Sequence, residues 1–439
     1  MVAAGRHRAA SPGQLCRPPA AGDRPFALGR VGPVALPGCR GDGLTHWPLA
    51  KAVPGRLHRS GVGGGSVRCR LTIPARINLL GNPSDGVEGD HATISAAIDT
   101  YAGAVVEPAD GVVLELVTRT GEVLERQRLA GLPPYPYEGA LDLLKGAVNR
   151  LYAYSPQLRR RWTERGGLRI AVWTEVPRQS GLGGSSLLAL LTLAGLRWFY
   201  DLDPHLHNEY VLAEMCQRVE ARELGITCGY ADRYVPLLGG LVYLDYRGKL
   251  HQRPLGEEPF VTYERLDRWT PDLPLVVVFT GLAHDSGDVH GVMRCRYLEE
   301  HADCVRGARK PFLVDVMERV GGTAWRGKMA LLRRDWVEVG RLMAENHRLV
   351  DEMMRYCGLP GGAGEVNNRL IEAAVELGAL GAKLTGAGGG GSVFALTRPG
   401  RERELVEGLH AVAAGMGLTE ARVWRPHVDR TGLRVEGAG

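Results

Sequence analysis

Alternating polar and apolar residues mark the strands that the chain is expected to form. Residues 92–107 and 111–129 are rich in Val, Thr and Leu, and the second stretch is interrupted by the turn pair Thr120 and Gly121. Two strands joined by such a turn form a hairpin. The pattern predicts strands at residues 68–73, 92–107, 111–129, 168–173, 239–245, 271–280 and 392–397.

Apolar residues at helical spacing occupy most of the remaining chain. Leu141, Leu144, Val148 and Leu151 recur every three to four positions, and residues 185–200 are apolar almost throughout, as in a buried helix. The pattern predicts helices at residues 137–154, 185–200, 208–224, 289–306, 311–333, 336–356 and 367–378, with a last helix and strand within 401–424. Because strands and helices do not alternate strictly, we predict an α+β fold.

A change in composition separates residues 1–66 from the rest. This leader carries nine Lys and Arg against two acids, whereas the remaining chain has two more acids than bases. The leader is rich in Gly and Pro without a period of 2 or 3.6, so we expect it to be disordered or to reflect an over-extended start. The total length of 439 residues favours two further domains, predicted at 67–250 and 251–430.

Charge and hydropathy exclude several classes of protein. A nearly neutral body argues against a broad nucleic-acid-binding surface. The leader lacks the uninterrupted apolar core of a secretory signal, although a transit peptide stays an alternative. The longest apolar run, residues 187–196, is about half of a membrane span. The eight cysteines include no C-x-x-C pair, which fits a reducing compartment. Taken together, these observations predict a cytoplasmic protein without nucleic-acid or membrane partners.

The loop at residues 177–186, PRQSGLGGSS, joins a predicted strand to a predicted helix. Glycines allow backbone N–H groups to approach an anion, the helix N-terminus carries partial positive charge, and a Ser hydroxyl can bind Mg²⁺. This loop therefore predicts a phosphate cradle, and a plain turn with Ser185 as helix cap is the alternative. It is not a Walker A loop, and the protein-kinase motifs are missing from the sequence.

A second glycine loop, residues 386–391, formally matches G-x-G-x-x-G. A dinucleotide-binding loop opens a helix, whereas this loop leads directly into the predicted strand at 392–397. The motif therefore predicts a backbone that packs closely against another loop or a ligand.

Three separated motifs together resemble the signatures of the GHMP small-molecule kinase superfamily. They are PARINLLGNPSDG at 74–86, VPRQSGLGGSSLLA at 176–189 and KLTGAGGGGSVFAL at 383–396. Within the superfamily, segments such as VEARELGITCGYADRY are most similar to glucuronokinases. The resemblance spans residues 68–424. It implies an N-terminal domain like ribosomal protein S5 domain 2, a ferredoxin-like C-terminal domain and an active site between them.

The resemblance also implies roles for individual residues. Ser185 and Glu220 would bind Mg²⁺, Asp232 would accept the proton of the substrate hydroxyl, and Arg76 would keep Asp232 ionised. Taken singly, Glu220 is equally an exposed helix residue, Asp232 a helix cap and Arg76 a surface ion pair. The residues expected to contact ATP are Pro177, Gly181, Leu182, Gly183, Gly184, Ser185, Ser186, Gly388 and Gly389.

The acceptor is indicated by a departure from the galactokinase pattern. Asn82 stands where that pattern has a Glu that binds the sugar C6 hydroxyl. A neutral amide does not repel a C6 carboxylate and can donate hydrogen bonds to it, which favours a uronic acid. Asp85 is expected to hold ring hydroxyls and Arg178 to pair with the substrate carboxylate or ATP. Asp285 and Ser286 are further substrate candidates, with a capping turn as the alternative.

The resemblance implies transfer of phosphate from ATP to the anomeric hydroxyl of D-glucuronate. Galactose, galacturonate, a heptose phosphate or mevalonate are alternative acceptors. A catalytically silent sugar-binding regulator and an RNA-binding protein that uses the leader are hypotheses of other classes. His284 and His290 lack the i, i+4 spacing of a metal pair, so we expect no metal ligand role for them.

Overall fold

The computed structural model describes residues 68–438 except 140, 252, 271, 283–285, 308, 360 and 387–390, and the side chains of 286–290 and 438 are likewise outside it. The predicted leader, residues 1–66, lies outside the described residues. Ser66–Gly439 form one compact unit. This unit contains two β-sheets with helices packed on them, so the α+β prediction is confirmed.

The larger sheet has eight strands in the described chain. They are β1 (Arg68–Leu80), β2 (Ala92–Pro108), β3 (Val112–Val117), β4 (Val123–Leu129), β5 (Leu168–Thr174), β6 (Leu241–Asp245), β7 (Thr262–Arg265) and β12 (Arg434–Ala438). The order is β12-β1-β2-β5-β3-β4, with β6 paired to β2 and β7 to β6. All pairs are antiparallel except β3 with β5.

Strand β2 organises this sheet because it has room for two neighbours on one edge. Residues 92–96 pair with β6, and residues 102–108 pair with β5. On its other edge β2 pairs with β1, where the register shifts between Pro74 and Ala75. Proline has no N–H to donate to the ladder, which explains an irregularity at this position. The shift sets the direction of the part of β1 that carries Arg76 and Asn78.

Five helices accompany the larger sheet. They are α1 (Asp142–Tyr154), α2 (Pro156–Arg165), α3 (Gly184–Phe199), α4 (Glu209–Arg218) and α5 (Ala231–Leu238). Most of α3 is buried, because its apolar residues face the sheet on one side and α1 and α4 on the other. The short helix α5 packs against β1. This packing brings the beginning of α5 close to Arg76.

The smaller sheet is antiparallel, with the strand order β11-β8-β10-β9. Its strands are β8 (Leu275–Phe279), β9 (Gly381–Thr385), β10 (Ser392–Leu396) and β11 (Arg422–Trp424). The helices of this half are α6 (Ser286–Val305), α7 (Phe312–Arg333), α8 (Trp336–Tyr356), α9 (Glu365–Glu376) and α10 (Glu402–Gly415). Strand β9 lies beside α8 and also meets β1 of the larger sheet.

Most predicted elements are present within a few residues of their expected ends, including the hairpin of β3 and β4. The helix predicted at 208–224 is different, because it changes to a π-helical turn at Val219–Glu223. Strands β7, β9 and β12 and helices α2 and α5 were not predicted. Since β7 and β12 belong to the larger sheet, that sheet extends beyond the predicted boundary at residue 250. None of the described helices is long and apolar enough to cross a bilayer.

Candidate active site

The predicted phosphate loop, residues 177–186, connects β5 to α3. Gly183 precedes the helix with φ of +85°, a conformation that glycine adopts without strain, and its carbonyl accepts the N–H of Leu187 at 3.3 Å. The first N–H groups of α3 therefore point into the loop, where the helix dipole favours an anion. Ser185 and Arg178 are exposed, whereas Leu182 and Ser186 are buried.

The two glycine loops pack against each other through their backbones. A Cβ built on Gly181 would lie 2.6 Å from the Thr385 carbonyl oxygen, and one on Gly386 would lie 2.8 Å from Cα of Gly181. A Cβ on Gly391 would lie 2.9 Å from the Gln179 carbonyl oxygen. The prediction that residues 386–391 permit a close backbone approach is confirmed at both ends of that loop. Gly388 and Gly389 lie outside the described residues.

Arg76 and Asp232 form a two-point ion pair beside this loop. Nε of Arg76 donates to Oδ1 of Asp232 at 2.5 Å, and Nη2 donates to Oδ2. The third nitrogen, Nη1, donates to the carbonyl oxygen of Gly181 at 2.5 Å. A Cβ on Gly183 would contact the same guanidinium at 3.4 Å. The structure thus brings together Arg76, Asp232 and the phosphate loop, which are far apart in sequence.

The surroundings of Asp232 keep its carboxylate ionised. Burial alone would raise the pKa of Asp232, but the charges of Arg76 and Arg233 outweigh burial and hold that pKa well below its ordinary value. Nδ2 of Asn78 adds a long contact to Oδ1 at 3.4 Å, and its own amide oxygen accepts from Ser95 at 2.8 Å. About a quarter of the Asp232 side chain is exposed, at 23%, so the carboxylate is reachable.

Arg233 is a charged site residue that the sequence reasoning missed. Its Nη2 donates to Oε2 of Glu220, and its Nη1 lies 3.6 Å from Oδ2 of Asp232. Glu220 is buried in the π-helical turn and is therefore not an exposed helix residue. A bulge of this kind is frequent at functional sites. The sequence signal that could have identified Arg233 is its position directly after Asp232.

Glu220 and Ser185 have the donor chemistry expected for Mg²⁺, which binds hard oxygen ligands. Oε2 of Glu220 is held by Arg233, whereas Oε1 lies 4.0 Å from the thiol of Cys216, a weak donor. The same thiol lies 3.7 Å from the carbonyl oxygen of Ser186, so Glu220 is close to the first turn of α3. Both side chains offer oxygen donors of the kind that Mg²⁺ binds, and their joint role as its ligands stays a prediction.

Asn82 is buried and is held on both sides by the C-terminal half of the chain. Nζ of Lys383 donates to its amide oxygen at 2.8 Å, and Nδ2 of Asn346 donates to its carbonyl oxygen at 3.1 Å. The amide nitrogen of Asn82 has no hydrogen-bond partner in the described part of the chain. The sequence reasoning identified Asn82 but missed Lys383, although Lys383 begins the third motif.

Asp85 has a structural contact at the beginning of α5. Its Oδ2 accepts the backbone N–H groups of Tyr230 at 2.9 Å and Ala231 at 3.0 Å. A Cβ on Gly229 would lie 2.1 Å from the same oxygen, so a larger residue there would displace the Asp85 carboxylate. Asp85 therefore caps the helix that carries Asp232, and the proposed contact with ring hydroxyls stays a prediction.

The remaining predicted residues are Asp285 and Ser286. Asp285 and the side chain of Ser286 are outside the described residues, as are His284 and the side chain of His290. Further along α6, Arg294 donates to the Gly86 carbonyl oxygen at 2.5 Å and pairs with Glu88 at 2.6 Å. Helix α6 thus packs on the segment that follows Asp85. The described residues contain no group of three His, Cys, Asp or Glu side chains suited to a metal.

A cavity of about 680 Å³ is lined in part by residues 89–92. Tyr243, His301, Glu318 and Trp325 contribute to its walls, which come from β6, α6 and α7. None of the predicted site residues lines this cavity. The proposed chemistry is therefore assigned by the contacts of Asp232 and the phosphate loop, and not by this cavity.

Two family models match this chain. The GHMP kinases N terminal domain matches residues 142–240, which include the phosphate loop, Glu220 and Asp232. The GHMP kinases C terminal model matches residues 329–414, which include Lys383 and the second glycine loop.

Curated relatives and solved structures give a consistent comparison. Glucuronokinase 1 of Arabidopsis thaliana is 31% identical over 345 residues, covering 76% of this chain and 86% of the relative. A mevalonate kinase of Pyrococcus abyssi is 28% identical over 279 residues, covering 62% and 70%. The structure of Lactococcus lactis galactokinase complexed with galactose has a TM-score of 0.63 and 17% identity, covering 84% of this chain and 95% of that one. A D-glycero-D-manno-heptose 1-phosphate kinase from Bacteriodes thetaiotaomicron has a TM-score of 0.58 and 20% identity, covering 84% and 98%.

Proposed function

The chain belongs to the GHMP kinase family, and from that membership we propose that it transfers the γ-phosphoryl group of ATP to the anomeric hydroxyl of D-glucuronate. The products are ADP and glucuronate 1-phosphate. The observation that carries this proposal is the ionised carboxylate of Asp232, held between two guanidinium groups beside the phosphate loop.

Asp232 orients the acceptor. An ionised carboxylate accepts a hydrogen bond from the sugar hydroxyl. This hydrogen bond orients a lone pair of the hydroxyl oxygen toward the γ-phosphorus of ATP. Because the pKa of Asp232 is low, the carboxylate is a weak base, and the proton moves to it late, as the new oxygen–phosphorus bond forms. A loose transition state, in which the attacking oxygen carries little new charge until late, suits such a weak base.

Arg76 and the phosphate loop stabilise the charge on the phosphates. The loop offers backbone N–H groups at the beginning of α3, and Arg76 is fixed by Asp232 and Gly181 before any substrate arrives. Ser185 and Glu220 would hold Mg²⁺. When bound, that ion neutralises negative charge on the β- and γ-phosphates.

The uronic acid is favoured by two independent observations. The curated relative with 31% identity is a glucuronokinase. Asn82 also replaces a carboxylate of the galactokinase pattern, and its amide nitrogen has no partner among the described residues. A buried donor without an acceptor is costly, and the carboxylate of a sugar acid is a suitable acceptor. A different GHMP acceptor, such as galactose, galacturonate, a heptose phosphate or mevalonate, is the second candidate.

The test is ADP release by purified protein with Mg-ATP and a panel of acceptors. The panel contains glucuronate, galacturonate, glucose, galactose and mevalonate. We expect turnover with glucuronate and a loss of at least about a hundredfold in kcat in the Asp232→Asn variant, with ATP binding retained. Turnover with neutral sugars but not with glucuronate would support the kinase activity and reject a uronic acid as the acceptor. ATP binding without turnover on any acceptor would favour a silent sugar-binding regulator.

Asp267→Asn is the matched control for loss of an ion pair. Asp267 accepts two hydrogen bonds at 2.6 Å from Arg265, the same two-point geometry as the pair of Arg76 and Asp232, but it lies outside the proposed site. We expect this variant to lose stability without losing kcat. A comparable loss of kcat in both variants would indicate that the effect of Asp232→Asn is structural.

A further inference from the structure

Lys383 is a buried ammonium group in the interior of the proposed site. It lies on β9 and its side chain is fully shielded from water. Its Nζ donates to the carbonyl oxygen of Asn78 at 3.2 Å, to the amide oxygen of Asn82 at 2.8 Å and to the carbonyl oxygen of Leu384 at 2.9 Å. An ammonium group has three protons, so all of them are used by these three acceptors.

The positive charge of Lys383 has no counterion in the described part of the chain. All three acceptors are neutral oxygens, and no described carboxylate lies within ion-pair distance of Nζ. Buried charges are normally paired, because the transfer of a lone charge out of water is expensive. Burial and the nearby charge of Arg76 accordingly lower the pKa of Lys383 to about 7. An anion that binds close to Lys383 would supply the missing charge.

Lys383 also determines which way the amide of Asn82 points. An ammonium group can only donate, so it must face the amide oxygen, and the NH₂ group must face the other way. That NH₂ group has no hydrogen-bond partner among the described residues. While Lys383 is protonated, its donor chemistry therefore sets this orientation, which leaves the NH₂ group without a partner in the described part of the chain.

We propose that Lys383 is a positioning residue for acidic substrates, which turns the NH₂ group of Asn82 toward the substrate carboxylate and supplies the charge that favours an anion there. The proposal rests on the proposed function, since it assumes a sugar acid as acceptor. Lys383 itself has no proton left for the ligand and acts through Asn82. The wall around Asn82 must open for the sugar to enter, as active sites of many enzymes do on substrate binding. Once enclosed, the carboxylate meets a low effective dielectric constant, in which both effects are strong.

The test compares the kcat/KM values of two substrates and does not rely on the rate with one. The readout is kcat/KM for glucuronate divided by kcat/KM for glucose, because a purely structural loss lowers both values together. We expect Lys383→Met to lower this ratio about tenfold or more, mainly through a higher KM for glucuronate. Lys383→Gln keeps an N–H donor for the Asn82 oxygen, so we expect it to restore part of the ratio. Lys145→Met is the matched control.

Lys145 is a second buried lysine and lies on α1. Its Nζ pairs with Asp142 of the same helix at 2.8 Å and donates to the carbonyl oxygen of Pro136, which precedes the helix, at 2.9 Å. Its replacement is expected to leave the ratio unchanged. If Lys383→Met does not fold, Asn82→Asp serves in its place, because the new carboxylate pairs with Lys383 and preserves the packing. We expect Asn82→Asp to lower the ratio, because its carboxylate neutralises the charge of Lys383 and has no N–H to donate to the substrate carboxylate.

The outcomes separate the two proposals. Wild-type protein that shows no preference for glucuronate overturns the proposed substrate and the role of Lys383 with it. Wild-type preference that persists in Lys383→Met, or in Asn82→Asp where that variant is used, overturns the role of Lys383 and leaves the substrate intact. A ratio that falls in Lys383→Met, recovers in Lys383→Gln and is unchanged in Lys145→Met supports both.

Discussion

Arg233 donates to Glu220 with one guanidinium nitrogen while another lies 3.6 Å from Asp232. One buried side chain therefore joins the proposed metal ligand to the proposed base. Glu220 is already neutralised by Arg233 before a metal ion arrives. A cation at Glu220 has to share its oxygens with this guanidinium.

The first prediction concerns this sharing. In Arg233→Gln, we expect a lower half-saturating concentration of Mg²⁺, because the guanidinium no longer competes for Glu220. We also expect kcat to fall by about tenfold or more, because both carboxylates lose a charged hydrogen-bond partner. Arg218→Gln is the control, since Arg218 forms a buried pair with Glu214 at 2.8 Å outside the proposed site. An unchanged magnesium titration in Arg233→Gln would contradict the assignment of Glu220.

The second prediction concerns the contact between the glycine loops. Gly181 has φ of +74° and no space for a Cβ, whereas Gly121 has φ of +96° in open space. Replacement of either glycine by Ala lowers the free energy of unfolding by about 1 to 2 kcal/mol, because a Cβ is strained at positive φ. We expect Gly181→Ala to lose at least about 1 kcal/mol more than Gly121→Ala in denaturant unfolding and to raise the KM for ATP. Equal losses in the two variants would show that the loops separate freely.

The third prediction distinguishes two roles for Asp85. As the cap of α5, Asp85 is expected to contribute about 1 to 2 kcal/mol to stability, so Asp85→Ala should lower both the free energy of unfolding and kcat. Asp85→Asn keeps an acceptor oxygen and should recover most of the stability. The control is Asn208→Ala, which removes the cap of α4. A large increase in the sugar KM at unchanged stability would instead support a contact with ring hydroxyls.

The fourth prediction is a pH dependence of stability that arises at His347. Burial, followed by the charge of Lys383, lowers the pKa of His347 to about 4, below the ordinary value of 6.5. Between these values the unfolded chain binds a proton and the folded chain does not, so stability falls as the pH decreases from 6.5 toward 4. The slope from this one group is at most about 1.4 kcal/mol per pH unit.

Denaturant unfolding at pH 7, 6 and 5 checks this dependence. We expect His347→Gln to reduce the slope, because glutamine does not titrate. His410→Gln, at an exposed position, is expected to leave it unchanged. A slope that is the same in all three proteins would assign the pH dependence to other groups.

Local sequence patterns were sufficient for most of the fold. Helix α8 has the predicted ends, and the hairpin of β3 and β4 turns where Thr120 and Gly121 stand. The elements that were missed are short or weakly patterned. Helix α5 has only eight residues, and β9 is a five-residue strand that begins with Gly381 and is followed by Gly386. Such segments are stabilised by tertiary packing, which local periodicity does not report.

The candidate site divides in the same way. The family resemblance identified Arg76, Asn82, Glu220 and Asp232 as candidates, because the motifs that carry it are properties of the chain. The partners of these residues were not identifiable, because Arg233 and Lys383 acquire their importance only from distance and burial. Coulomb energies and desolvation depend on three-dimensional surroundings, and the orientation of an amide depends on which donor it meets.

Residue types, the secondary structure of the long periodic segments and the family resemblance were thus accessible from the order of amino acids. Folding was needed to make Asp85 the cap of α5, to pair Glu220 with Arg233 and to leave the Asn82 amide nitrogen without a partner among the described residues. The reason is that periodicity and motif spacing are encoded locally along the chain. Hydrogen-bond and ion-pair partners are chosen by packing between β1, α5 and β9, which are far apart in sequence.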